Sequence, residues 1–96
     1  MGKLKRKPVH PGEILEEHYI KPLQLNLEEL ANNLMIARNT LYKLRKAKAS
    51  ITPNLARRLA KAFKTSPELW LNLQHKYDLW ELEYHQENLK QIKVLV

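Results

Sequence analysis

At 96 residues the chain can build one modest core but not two. It has no cysteine, which excludes a disulfide framework or a thiolate metal site and makes a reducing cytoplasm the natural compartment. The formal net charge is +7, and no apolar run approaches the roughly 20 residues that span a bilayer.

The first nine residues carry Lys3, Lys5, Arg6 and Lys7 with little to bury, and read as a flexible basic arm. They lack the apolar stretch of a secretory signal, and Arg6 stands where a myristoylation signal needs Ser or Thr. Pro11 suits the first position of a helix, and Glu13, Glu16 and Glu17 suit its positively polarised start. Ile14, Leu15, His18 and Tyr19 form the expected apolar side, and Pro22 is expected to end the helix.

Asn26 is a good N-cap for the next helix, with Glu29 in capping-box position. Leu27, Leu30, Ala31 and Leu34 recur at helical spacing, and a second stripe begins at Leu41 and Leu44. The break between them spans only Met35, Ile36 and Ala37. Two short amphipathic helices joined so tightly must cross, which is the helix-turn-helix pattern. Small Ala31 lets the backbones approach, while Leu30, Leu34, Ile36, Leu41 and Leu44 close a core behind the second helix. Its outward positions, Arg38, Asn39, Thr40, Tyr42, Lys43 and Lys46, can present donors and acceptors to base edges in a major groove. Arg38 suits guanine and Asn39 adenine, whereas Lys46 and Lys48 suit phosphate.

Charge placement agrees. From Leu30 through Pro67 there are nine basic residues and no acidic one, and the acids fall on either side of that block. Such polarity is the electrostatic footprint of a polyanion binder.

Thr52 before Pro53, and Ser66 before Pro67, are cap-then-first-turn signals for two further helices. Leu55, Leu59, Ala62 and Phe63 give the first a buried stripe; Arg57, Arg58, Lys61 and Lys64 occupy the rest of it. On the last helix Trp70, Leu73, Tyr77, Trp80 and Tyr84 are spaced three, four, three, four and share one seam. Trp70 and Leu73 are expected to pack inward. Tyr77, Trp80 and Tyr84 exceed what so small a core needs and are expected to form a dimer interface, with Trp80 as anchor. Leu82 and Leu89 add apolar surface, and the tail closes with Ile92, Val94, Leu95 and Val96. The organisation predicted is all-α, with a basic arm at 1–9, a five-helix domain at 10–90 and a tail at 91–96.

Neither His10 with His18 nor His75 with His85 has a zinc-ligand spacing, and Glu81 with His85 reads as an ordinary surface pair. There is no Gly-rich phosphate loop, and Ser50 and Ser66 have no His–acid arrangement near them in sequence. No catalytic site, metal site or cofactor is expected.

Taken together, HPGEIL at 10–15, LANNL and IARNTLYKL within 30–44, and ITPNLARRLAKAF, TSPELWLNLQ and YDLW within 51–80 resemble the HigA family of bacterial antitoxins, helix-turn-helix proteins of the Cro and lambda-repressor type. The resemblance covers roughly seventy residues, and the pairing of HPGE with TSPELWLNLQ is its specific part. It implies a cytoplasmic homodimer that binds its own operator DNA and silences a RelE-like toxin that cleaves mRNA. With no apolar run of bilayer length, no membrane partner is expected. The chain departs from the family pattern at Met35, Ala47 and Lys64, where glycine is usual, with Lys46-Ala47-Lys48 replacing Asn-Gly-Lys. A residue other than glycine at the Met35 turn costs roughly 1 kcal/mol. Two rivals are a stand-alone repressor with no toxin partner and a protein-interaction module whose basic face is incidental.

Overall fold

The computed structural model describes residues 7–84 and 89–96. Lys3, Lys5, Arg6 and His85, which figured in the arm and the surface pair above, lie outside them. The described residues form five helices and no strand. The first, α1, runs through three contiguous stretches: Pro11–Leu15, a π-helical turn at Glu16–Ile20, and Lys21–Leu23. It is followed by α2 (Leu27–Leu34), α3 (Arg38–Arg45), α4 (Pro53–Phe63) and α5 (Pro67–Tyr84).

Pro22 does not end α1, contrary to the sequence expectation. It lies inside the last stretch, and the turn before it widens to π geometry. Proline has no N–H to donate and its ring crowds the carbonyl four residues back. Widening relieves both problems, with the Lys21 N–H reaching the Glu16 carbonyl. The extra residue in that turn shifts the register, and His18, expected on the apolar side, is exposed while Ile20 is buried.

The caps fall where the sequence placed them. The Glu29 N–H donates to Asn26 Oδ1 at 2.9 Å, the Leu55 N–H to Thr52 Oγ1 at 3.2 Å, and the Leu69 N–H to Ser66 Oγ at 3.1 Å. At the other ends, α1 to α4 all close through a residue in the left-handed region: Gln24 (φ 52°), Met35 (60°), Ala47 (60°) and Lys64 (57°). At each, the following N–H reaches back five residues, as from Ile36 to the Ala31 carbonyl (3.0 Å) and from Lys48 to that of Lys43 (2.8 Å). This is the Schellman closure, built here without glycine.

The core joins Leu15, Leu30, Leu34, Leu41, Leu44, Leu59 and Trp70, with Ala31 and Ala56 buried among them. Ile36, Ala62 and Phe63 are partly buried against it. Trp70 is fully buried and its indole N–H donates to Thr65 Oγ1 at 2.8 Å, so its polar edge is satisfied. Buried Gln74 accepts from the Ile51 N–H at 2.8 Å and donates to Asp78 at 2.9 Å, tying α5 to the loop before α4. No helix among the described residues is long and apolar enough to cross a membrane.

Candidate nucleic-acid interface

The helix α3 buries Leu41 and Leu44 and turns the rest of its surface outward. Arg38, Asn39, Tyr42, Lys43 and Lys46 are exposed, at the offsets of one helical face. Thr40 is half-buried and borders a depression shared with Ser50 and Asn54, so it sits at the edge of this face. Lys46 Nζ lies 4.9 Å from the centre of the Tyr42 ring, a cation–π contact that holds both side chains on the exposed side. Lys48 is exposed in the turn closing α3, beside Ala47. Ala37 precedes the helix without a capping side chain, leaving the first-turn N–H groups without a side-chain acceptor.

The helix is held from behind by groups that local patterning does not single out. Arg45 Nε donates to Glu16 Oε1 at 2.6 Å and its Nη2 to Oε2 at 3.2 Å, a two-point bridge from α3 to α1. The hydrogen-bonded guanidinium holds the Glu16 carboxyl below its ordinary value. Arg45 is thus the cation of α3 committed to the fold rather than to its exposed face.

Arg58 does similar work on the turn. Its Nη1 donates to the Leu34 carbonyl at 3.1 Å and the Met35 carbonyl at 2.7 Å, satisfying acceptors at the end of α2 where a positive charge is also favoured. The angle between α2 and α3 is thereby fixed from α4.

The HPG run accounts for the other end. His10 caps α1: its Nδ1 accepts from the Gly12 N–H at 2.9 Å. Pro11 follows at the first helical position. A Cβ on Gly12 would overlap the Leu44 carbonyl oxygen, so only glycine lets α1 approach the end of α3 this closely. His10 is itself buried, is hydrogen-bonded to the Ala49 backbone, and meets Tyr77 of α5 edge-on at 4.8 Å. Burial pushes its pKa below the ordinary value; Glu13 and Asp78 oppose that shift, and Lys7 adds to it. The Gly12–Leu44 approach and the His10–Tyr77 contact link residues far apart in sequence. Of the HPG run, only Pro11 at the first helical position was legible beforehand.

On α5, Trp70 packs inward as expected and Leu73 is half-buried. Tyr77 is half-buried through its contact with His10. Trp80 follows, 6.1 Å from Tyr77 and stacked on Tyr84 at 4.9 Å with planes 16° apart. Lys7 Nζ lies 5.7 Å from both the Tyr77 and Trp80 rings. Leu79 (65 % exposed) and Leu82 (50 %) flank this ladder.

Residues 18–70 match the helix-turn-helix family model. An HTH-type transcriptional regulator of Haemophilus influenzae is 44% identical over 91 residues, covering 92% of this chain and 85% of that protein. Antitoxin HigA-1 of Vibrio cholerae is 38% identical over 96 residues, covering 99% and 90%. The chain belongs to the HigA family of helix-turn-helix proteins. Its fold agrees: the solved structure of antitoxin GraA in complex with its operator superposes with a TM-score of 0.84 at 33% identity, covering 100% of this chain and 99% of that one.

Proposed function

We propose that this protein binds operator DNA upstream of its own gene as a homodimer, represses that operon, and neutralises a RelE-like, mRNA-cleaving toxin encoded beside it. The observation that carries the DNA-binding part is the exposed face of α3, where Arg38, Asn39, Tyr42 and Lys43 stand outward on a helix anchored from α1 and α4. The acid-free run from Leu30 through Pro67 supplies the long-range attraction. The relatives named HigA-1 and GraA support the antitoxin role, and the GraA complex supports an operator as the DNA target.

Dimerisation follows from what one such unit can read. A single recognition helix touches a few base pairs, so specificity requires two copies about 34 Å apart on one face of the duplex, related by a twofold axis. The Tyr77–Trp80–Tyr84 ladder on α5 is the surface assigned to that axis.

Titration of labelled upstream DNA against a random duplex at several salt concentrations tests the repressor role. Tighter binding to the upstream duplex, weakening linearly with log salt, is expected. The 44%-identical relative is called a transcriptional regulator without mention of a toxin, which favours a stand-alone repressor as the second reading. Co-purification with the product of an adjacent small basic gene separates the two.

A further inference from the structure

We propose that a groove beside the recognition unit, walled by Arg57 and Lys61 of α4, holds the sugar–phosphate backbone of duplex DNA flanking the bases that α3 reads. The inference rests on the operator binding proposed above and adds a second contact surface to it.

Arg57 and Lys61 are exposed, four residues apart on one face of α4 and alike in charge. Like charges at that spacing repel each other in the free protein. Neither makes an ion pair among the described residues, and the nearest acids in sequence lie outside the 30–67 block. An anion is the partner such a pair lacks.

The groove is preformed. Arg58 lies between its walls, pinned to the Leu34 and Met35 carbonyls, with its Nε on Asn54 Oδ1 at 3.3 Å. Asn33 and Met35, the latter 77 % exposed, form the opposite wall.

Position selects the anion. Asn54 and Arg58 also border the neighbouring depression, which reaches Thr40 on α3. The two depressions therefore adjoin at Asn54 and Arg58, which places Arg57 and Lys61 next to the edge of the α3 face. Four residues of α-helix rise about 6 Å, and phosphates follow one another about every 3.4 Å of axial rise along each strand. A rise of about 6 Å is close to two of those steps, about 6.8 Å, so two long cationic side chains on that spacing can each reach a phosphate of one strand. Flexible Arg and Lys termini with no fixed donor pairs suit backbone contact rather than base reading.

The test uses the full chain, labelled upstream DNA and a random duplex, with the double variants Arg57→Gln/Lys61→Gln and Arg57→Lys/Lys61→Arg. The Gln variant is expected to weaken both duplexes by the same factor. It should also lower the slope of log affinity against log salt by about 0.9 for each phosphate no longer neutralised. The charge-conserving variant restores both, and the melting temperature of the Gln variant equals or exceeds the parent's because a repulsive pair is gone. Parental affinity and slope in the Gln variant would overturn the groove assignment while leaving operator binding intact. A weakening confined to the upstream duplex would overturn it by making these residues base readers. A parent that binds neither duplex would overturn operator binding itself, and the groove with it.

Discussion

Gly12 and Leu44 lie in backbone contact across the α1–α3 interface, with no room for a methyl group between them. The end of α3 is therefore seated on the start of α1. Gly12→Ala must push the two helices apart. Overpacking of a well-packed site costs typically 1–3 kcal/mol, and because the obstacle is backbone we expect about 3 kcal/mol, read as a lower urea midpoint. Reduced DNA affinity should accompany it. A variant as stable as the parent would show that α1 and α3 are free to adjust.

Glycine is expected to help where the left-handed turns lack it. Met35, Ala47 and Lys64 each hold φ near 60°. The left-handed region costs an L-residue about 1–2 kcal/mol, whereas glycine's freer unfolded chain costs about 0.4–1 kcal/mol. Met35→Gly, Ala47→Gly and Lys64→Gly should each stabilise by up to about 1 kcal/mol, and calorimetry of the triple variant should show melting several degrees higher. An unchanged or lower melting temperature would contradict the strain argument.

The same residues show what could be read before the fold was known. Caps at Asn26, Thr52 and Ser66, the crossing at Ala31 and the outward face of α3 are local, and three or four residues suffice to specify each. Gly12 against Leu44, Glu16 against Arg45, Arg58 beneath Met35 and Gln74 on Ile51 are tertiary, and their partners carry no mark in sequence. The π turn before Pro22 is an intermediate case. The proline was plain, but a helix under strain can end or widen, and packing of Ile20 into the core accompanied widening.

Acid should weaken the protein in two steps. His10 has a folded pKa below 6.5, so the unfolded chain binds its proton first. Its contribution is complete above pH 6.5 and is lost as pH falls from there to the lowered folded value. Glu16, held below 4.5 by Arg45, contributes above pH 4.5 and is lost only in stronger acid. His10→Asn keeps a capping oxygen but does not titrate. Thermal melting at pH 7.5 and 5.5 should show a drop for the parent and little for the variant; equal drops would remove His10 as the cause.

Trp80 stands between Tyr77 and Tyr84 on the ladder of α5. If that ladder builds the twofold interface, Trp80→Ala should cost about 2 kcal/mol or more, roughly thirtyfold in dimer affinity. Sedimentation without toxin at low micromolar concentration reads it directly. A folded variant as dimeric as the parent would assign the ladder to another partner, the toxin first among them.

The central claim is that α3 reads operator bases, and Arg38 tests it against Lys48. Affinities of Arg38→Ala and Lys48→Ala should be measured on upstream and random duplexes at one salt concentration. Removing a base-reading side chain should cost about 1–3 kcal/mol on the upstream duplex and collapse its advantage over random DNA. Removing the Lys48 charge should weaken both duplexes alike. If Arg38→Ala weakens both equally, or neither, Arg38 reads no base and the recognition surface lies elsewhere.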